Sequence, residues 1–388
     1  MQPAFLRRGL SAAAVAAALM LAGCASNTAE AEAEAARVAA EAAAAAHRPP
    51  AIALNDSVAQ AASVYVAFTR EMAALEGGFE SAEAVQAAVR RGSTYNPDQV
   101  SRGLVAYASI IALQSPEFVA GVRQYASHRA TREKLVADIV ADPRHASYLP
   151  GAPAAAGLVI AALRSDIDAL GRAADSVEND AYAIQARYDP RRSWAVAPGA
   201  DLTGRLEAAK ARSLEAMAPS AADAAGLSAA AHSGAGLPVS GAPRDQPYPP
   251  VVERALALAA LAALGAAGDA ARVNTDALQQ EPVSQRCLAM SKLNLFQCLA
   301  ASRPSYEDMF CLGRHIVRDL ATCTRGAAIP AAVVTVSDIV PVGPPLPAAP
   351  PPIVISPPPP PSPPLSEPAP RPALTPTERL NRGANTPE

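Results

Sequence analysis

Five cysteines carry the most specific chemistry in this chain, and their positions divide them into two groups. Cys24 ends a short apolar run near the N-terminus, whereas Cys287, Cys298, Cys311 and Cys323 lie close together near the C-terminal end. An odd number of cysteines cannot pair completely into disulfides. Cys24 therefore needs an explanation of its own.

The segment that precedes Cys24 has the charge and length of an export signal. Arg7 and Arg8 come before an apolar stretch over residues 10–22, which is too short to span about 30 Å of hydrocarbon as a helix. The tetrapeptide Leu21-Ala22-Gly23-Cys24 resembles the lipobox of bacterial lipoproteins. This resemblance covers the first 24 residues only. It implies that residues 1–23 are a signal peptide.

The same resemblance implies a covalent lipid and a location in the cell. The Cys24 thiol would carry a diacylglycerol and its amine an N-acyl chain, with no other cofactor, and two or three acyl chains anchor a protein stably. Ala25 and Ser26 follow the cysteine in place of an aspartate, which by the same resemblance favours the outer membrane over the inner membrane. The expected location is its periplasmic side, and exposure at the cell surface is a further possibility. Loss of Arg7 and Arg8 changes the formal charge from −3 to −5, which provides no electrostatic basis for binding nucleic acid.

Composition divides the rest of the chain into segments. Residues 24–50 are predicted to be the lipid anchor and a helical spacer rich in Ala and Glu, and residues 51–218 a helical domain. Residues 219–246, rich in Ala, Gly, Ser and Pro, are predicted to be a flexible loop. Residues 247–326 are predicted to be a helical subdomain. Half of the 38 prolines lie beyond position 340, so residues 327–388 are predicted to be a disordered tail.

The expected fold is all-α, an antiparallel helical bundle with a disulfide-stapled C-terminal hairpin. Asn96-Pro97 is an N-cap followed by proline, and it opens a helix that is apolar nearly all round, as in a central buried helix. A three-heptad apolar pattern continues from Leu163 to Tyr188. We favour an intramolecular partner for this helix over a dimeric coiled coil, and the oligomeric state stays open. The apolar run after Pro250 is predicted to be a buried helix rather than a membrane span.

The four remaining cysteines are expected to form two disulfides, because an even number in an exported chain favours pairing. Two cysteines eleven residues apart on one helix are separated by about 16 Å, whereas a disulfide needs α-carbons within about 7 Å. In an antiparallel hairpin that turns at Pro304, one helix ascends in residue number while the other descends. The residue numbers of two facing residues therefore add up to nearly the same total. This condition favours the nested pairs, Cys287 with Cys323 and Cys298 with Cys311, over the crossed pairs.

One detail of this hairpin is less regular. Cys311 and Cys323 are twelve residues apart, so they diverge by about 120° on an ideal helix. We therefore expect Cys323 to lie in a frayed final turn before Gly326. A zinc site is disfavoured, because the sequence contains no Cys-x-x-Cys knuckle.

No catalytic constellation is found among the common nucleophile, phosphate-binding and metal motifs, so no catalytic or metal-binding residue is predicted. Asp166 and Asp168 form an Asp-x-Asp pair that is interpreted as a solvated helix face. The candidate docking residues are Arg191, Arg192 and Trp194, in the irregular stretch 187–201. They are suited to an anionic or carbohydrate partner, and the alternative is that Trp194 only caps the bundle.

These features together favour a non-enzymatic function. The expected function is that of a structural or interaction module of the bacterial cell envelope, held to the membrane by its lipid, with an envelope protein or peptidoglycan as the candidate partner. The alternative is a cell-wall-active enzyme, or an accessory factor to one.

Overall fold

A computed structural model describes residues 34–41, 49–199 and 201–331 of the chain. This part contains helices and no β-strand, so the all-α prediction is confirmed. Residues 34–41 are an exposed helical stretch inside the predicted spacer. The predicted signal peptide, Cys24 and the Pro-rich segment beyond residue 331 lie outside the described residues.

The helices of the main body are numbered from residue 56 onwards. They are α1 (Asp56–Ala73), α2 (Ala82–Gly92), α3 (Pro97–Ala112), α4 (Pro116–Arg123), α5 (Arg129–Ala141), α6 (Ala152–Ala186), α7 (Ser193–Val196), α8 (Leu202–Ser213), α9 (Ala221–Ser233), α10 (Pro250–Ala263), α11 (Arg272–Leu278), α12 (Pro282–Ala301), α13 (Ser305–Leu312) and α14 (Asp319–Ala328). Short 3₁₀ turns cover Pro143–Tyr148, Pro190–Arg192 and Asp269–Ala271, and a π-helical turn, Gly313–Arg318, joins α13 to α14.

These helices belong to one compact unit, Met1–Ala332, and the second unit, Val333–Glu388, lies outside the described residues. The predicted helical parts 51–218 and 247–326 are therefore not separate units. The boundary at 326 was also too early, since α14 continues to Ala328 and Ala327 and Ala328 are buried.

Helix α3 forms the centre of the body, as its apolar sequence predicts. It packs against α1, α6, α10 and α12. The Asn96 side chain accepts hydrogen bonds from the backbone N–H groups of Asp98 and Gln99, which confirms the predicted N-cap. A Cβ at Gly103 would lie 2.5 Å from the Ala61 carbonyl oxygen, so glycine is what allows α1 and α3 to approach so closely.

The stretch predicted to be a flexible loop, 219–246, contains helix α9, and that prediction was wrong over residues 221–233. Ser220 caps α9 by accepting a hydrogen bond from the Asp223 N–H, and Gly234 ends it with a φ of 65°. The helix packs on α1, where Arg70 forms an ion pair with Asp223. Alanine and serine were read as loop composition, although alanine is the strongest helix former.

Helix α6 buries its heptad stripe inside the same chain, as expected. Leu163, Ile167, Leu170 and Val177 are at most 1 % exposed and face α1, α3 and the C-terminal hairpin. Tyr188, the last member of the predicted pattern, lies beyond the helix end and is 68 % exposed. The pattern is therefore that of one long helix in an intramolecular bundle.

Helix α10 is buried along most of its length, as predicted for its apolar run. Among the described residues, no single helix is both long and apolar enough to cross a bilayer. Helices α3 and α4 reach that length and composition only together, and they are bent by 85° at the break between them.

The C-terminal hairpin consists of α12 and the continuous helix α13 to α14. Disulfides join Cys287 to Cys323 and Cys298 to Cys311, with Cα–Cα distances of 5.5 and 5.7 Å, so the nested pairing is the observed one. Cys323 is not in a frayed turn, because α14 continues past it and it is 2 % exposed.

The π-helical turn Gly313–Arg318 removes the angular mismatch between Cys311 and Cys323. A π turn accommodates about one extra residue, so twelve residues with this turn advance the helix about as far around as eleven α-helical residues. Eleven is also the spacing of Cys287 and Cys298 on α12. Arg318 ties the turn to α6 through Glu178 and Asp175, at 2.7 and 2.6 Å.

Candidate functional site

The predicted docking residues lie just after the C-terminal end of α6, and Arg192 is already engaged there. Its guanidinium donates to both carboxylate oxygens of Asp180, one of them at 2.8 Å. The same carboxylate accepts the backbone N–H of Gly78 at 2.6 Å. The hydrogen bond from Arg192 is the main reason that the pKa of Asp180 is lowered. Arg192 therefore ties the 3₁₀ turn to α6.

Trp194 is half-buried on the short helix α7, which packs against α6 and α13. The Arg192 guanidinium lies 5.9 Å from the centre of its ring, within cation–π range. Further along, the Gly199 N–H donates to the Arg303 carbonyl oxygen at 2.8 Å. These contacts hold residues 187–199 against the end of the bundle, which is the capping role weighed as the alternative for Trp194.

Arg191 differs from its neighbour. Its side chain is exposed, and it forms no ion pair with any described residue, while its backbone N–H donates to Asp189 at 2.9 Å. Of the three predicted docking residues, Arg191 is the one whose charge is available to a partner. Docking at this end of the molecule stays a prediction.

An aromatic cleft opens beside this segment, between α6 and α13. Its volume is about 200 Å³, and it is lined by Ala181, Tyr182, Gln185, Tyr306, Glu307 and Phe310. The rings of Tyr182 and Phe310 lie 5.7 Å apart between centroids with an interplanar angle of 59°, and Tyr182 is 51 % exposed. The cleft offers three aromatic rings, an amide and a carboxylate, which suits a ligand that is partly apolar and partly hydrogen-bonding.

Sequence reasoning missed this cleft, because its rings come from helices that are far apart in the chain. Tyr182 precedes the predicted docking stretch, and Phe310 lies between two cysteines. One signal was available: few aromatic residues occur in this chain, and Tyr306 and Phe310 are four apart on one predicted helix.

The most deeply buried charge pair of the described residues is structural. Arg205 of α8 bonds Asp308 of α13, and Asp308 also accepts hydrogen bonds from Gln86 and Ser302, both at 2.6 Å. The Asp308 side chain has no exposed surface and that of Arg205 is 7 % exposed. Burial raises the pKa of Asp308 in spite of these partners. Closed to solvent, the pair joins α2, α8 and the hairpin.

The Asp-x-Asp pair on α6 is only half solvated. Asp168 is exposed and lies 3.8 Å from Arg325, as expected for a solvated face. Asp166 lines a different cleft and is half-buried, and burial raises its pKa to about 6. The prediction of a solvated face was therefore wrong for Asp166. Within the described residues, no group of three or more His, Cys, Asp or Glu side chains could hold a metal ion.

Neither a family model, nor a curated protein, nor a solved structure matches the chain. Any functional conclusion therefore rests on its own residues.

Proposed function

We propose that this chain is a lipid-anchored lipoprotein of the bacterial envelope that acts as a structural or interaction module. The observation that carries the proposal is the tetrapeptide Leu21-Ala22-Gly23-Cys24 at the end of a basic and apolar signal. Lipidation of Cys24 would hold the helical body at a membrane surface, on the periplasmic side of the outer membrane.

The two disulfides support an exported location independently of the lipobox. Disulfides persist in oxidising compartments such as the periplasm and are rare where thiols are kept reduced. Both bonds lie in one hairpin that packs on α6, so they are part of the folded body.

The face that we assign to a partner is the C-terminal end of α6, with the aromatic cleft and the exposed Arg191. Tyr182 and Phe310 supply ring surface there, and Arg191 supplies a free cation. Aromatic residues and arginine are the side chains most enriched where proteins bind partners. The partner class is an envelope protein or peptidoglycan.

Lipidation is tested by metabolic labelling with an alkyne analogue of palmitate, followed by membrane fractionation. The full chain should take up the label and sediment with membranes, and Cys24→Ala should do neither. The matched control is Cys287→Ala with Cys323→Ala, which removes two other cysteines and should keep the label. Equal labelling of Cys24→Ala, or an unlabelled wild type, would overturn the proposal.

The partner face is tested with a photo-crosslinking residue placed at Tyr182 in living cells. The control position is Val273 on α11, which is 83 % exposed. Crosslinks from position 182 that are absent at 273 and are lost with Phe310→Ala would support the assignment, and the same pattern at both positions would contradict it. A chain truncated after residue 331 keeps the buried end of α14 and shows whether the Pro-rich segment is needed.

Isolated peptidoglycan sacculi distinguish the two partner classes. Co-sedimentation of the purified protein with sacculi, weakened by Phe310→Ala, would identify the polymer as the partner. A zymogram with the same protein tests the enzymatic alternative, and clearing of peptidoglycan would replace the non-enzymatic proposal.

A further inference from the structure

A second cleft, separate from the aromatic one, lies between α1, α3 and α6. Its volume is about 400 Å³, within the range of small-molecule sites. Its walls include the apolar Val66 and Ala73 of α1, the Tyr107 ring of α3 and the Asp166 carboxyl of α6. The cleft therefore combines an apolar wall with one acidic group.

Asp166 has no cation of its own. None of the described lysines, arginines or histidines forms an ion pair with it, and its one hydrogen bond comes from the Tyr65 hydroxyl at 3.3 Å. A half-buried carboxylate without a cation beside it is costly. Burial removes water molecules that stabilise its negative charge, and no positive group takes their place. Elsewhere in this protein, the half-buried Asp180 and the fully buried Asp308 each have an arginine beside them.

Thr69 is a second polar group in this wall without a partner. It lines the cleft and is 5 % exposed. Among the described residues its hydroxyl makes no hydrogen bond of regular geometry, although it lies close enough to the Tyr65 hydroxyl to lower the pKa of that phenol. Buried polar atoms are nearly always paired in folded proteins, so each exception calls for an explanation. Asp166, which accepts one long hydrogen bond, and Thr69, whose hydroxyl makes none of regular geometry to a described residue, thus line the same cleft.

The other charged groups leave Asp166 as the dominant charge inside. Arg70 is the one basic residue lining the cleft, and its guanidinium is turned to Asp223 of α9, at 3.2 and 3.3 Å. Burial raises the pKa of Tyr107 to about 12 and that of Tyr65 well above its usual value, so both phenols are neutral. The described lining of the cleft thus presents one carboxylate, neutral hydroxyls, aromatic surface and, on the α1 side, the Arg70 side chain, whose charge is paired with Asp223.

We propose that this cleft binds a small organic ammonium ion, whose charged nitrogen pairs with Asp166 and whose carbon skeleton lies against Tyr107 and Val66. An ammonium donates hydrogen bonds to a carboxylate and to hydroxyl oxygens, and its charge is attracted to the face of an aromatic ring. A divalent metal ion would require several oxygen ligands, whereas Asp166 is the single acid here.

Three probes of equal chain length test the charge preference: butylammonium, butanol and butyrate. They are titrated into the purified full chain, and binding is followed by the amide chemical shifts of Thr69, Tyr107 and Asp166. Butylammonium should shift these amides in a saturable manner, butanol should bind at least tenfold more weakly, and butyrate should not bind. If butanol bound as tightly as butylammonium, the positive charge would contribute nothing to binding, and the proposal would be overturned.

The matched pair of variants is Asp166→Asn and Asp168→Asn. Each removes one negative charge from α6, but Asp168 is exposed and outside the cleft. Asp166→Asn should weaken butylammonium binding at least tenfold, whereas Asp168→Asn should leave it within twofold of the wild type. Equal losses would mean that only the overall charge matters, and that result, or no binding by the wild type, would contradict the site.

A third variant keeps the test independent of any change in folding at position 166. Thr69→Val has nearly the same shape and removes only the hydroxyl. It should weaken butylammonium binding a few-fold while leaving the melting temperature and the circular dichroism spectrum close to those of the wild type. Unchanged binding in both Thr69→Val and Asp166→Asn would place the ligand elsewhere. Neither lipidation nor the aromatic cleft enters this test, so its outcome is independent of the proposed function.

Discussion

The stapled hairpin and the cleft between α1, α3 and α6 each bury an aspartate, and they treat it differently. In the hairpin, Asp308 accepts hydrogen bonds from Gln86 and Ser302 and pairs with Arg205, so its oxygens are fully used. In the cleft, Asp166 has one phenol as its partner and pairs with none of the described arginines. A carboxylate with all its partners inside the protein serves the fold, whereas one without them is free to serve a ligand.

The hairpin and the cleft region also differ in how their helices are held together. Two disulfides tie α12 to the helix α13 to α14, and Arg318 binds the π turn to α6. The interface of α1 and α3 depends instead on close approach at Gly103 and on apolar packing. The hairpin should therefore respond most to the loss of specific bonds, and the cleft region to changes of shape and protonation.

The largest effect is expected at the hairpin's buried ion pair. Asp308→Ala leaves the Arg205 charge buried without a partner, so the free energy of unfolding should fall by about 3–5 kcal/mol. Urea unfolding measures it. The double variant Arg205→Met with Asp308→Leu removes both charges and should lose less than the single variant. An equal loss would mean that packing rather than the stranded charge sets the cost.

Removal of a disulfide should have the next largest effect on the free energy of unfolding, and the loss should be larger for the disulfide that closes the longer loop. Cys287–Cys323 has a sequence separation of 36 residues and Cys298–Cys311 one of 13. Chain entropy predicts losses of about 4 and about 3 kcal/mol when each pair is replaced by alanine. Urea unfolding of the two double variants checks the order. A larger loss for the shorter loop would show that native-state packing, not chain entropy, dominates in this hairpin.

Two glycines test the role of shape near the cleft. Gly103→Ala would press a methyl group against the Ala61 backbone, and we expect a loss of about 2 kcal/mol. Gly171 on α6 has no atom within 4 Å of its Cβ position, so Gly171→Ala should stabilise the helix by about 0.5–1 kcal/mol. Thermal unfolding distinguishes the two signs. No loss for Gly103→Ala would contradict the assignment of Gly103 to close approach, and a loss for Gly171→Ala would contradict the open space at its Cβ position.

The smallest effect is the pH dependence from Asp166. Its pKa is about 6 in the folded protein against about 4 in an unfolded chain, so between these values the folded state holds a proton that the unfolded state releases. This carboxyl should therefore lower the free energy of unfolding as pH rises from about 4 to about 7. The two pKa values allow at most about 2 kcal/mol, and because water still screens the half-buried group we expect a change on the order of 1 kcal/mol. Asp166→Asn should remove that component, measured by urea unfolding across this range, and Asp168→Asn should keep it.

Features that depend on local sequence were predictable. Asn96-Pro97 marks the start of α3 because an asparagine N-cap and a first-turn proline act within a few residues. The spacing of the four cysteines selects the nested disulfides, because a hairpin's register constrains pairs of positions. The stretch 221–233 was missed because its serines and nearby prolines were weighted above the helix propensity of alanine.

Features that depend on several helices at once were not predictable. Asp166 lies beside the heptad stripe of α6 and was expected to face solvent, but α1 and α3 cover that side of the helix. The π turn was not expected, because it corrects a mismatch between two disulfides, and only the paired helices require the correction. The sequence marks Arg192 only as a candidate docking residue, because its partner, Asp180, belongs to a different element.

The sequence by itself determined the helical class, the central position of α3 and the pairing of the cysteines. Apolar periodicity, capping residues and residue spacing are local, because each can be read within a short segment of the sequence. The tertiary structure decided which charges find partners: Asp308 and Asp180 receive an arginine and Asp166 receives none. Ion pairing and burial depend on the crossing of helices that are distant in the chain, and no local pattern encodes that crossing.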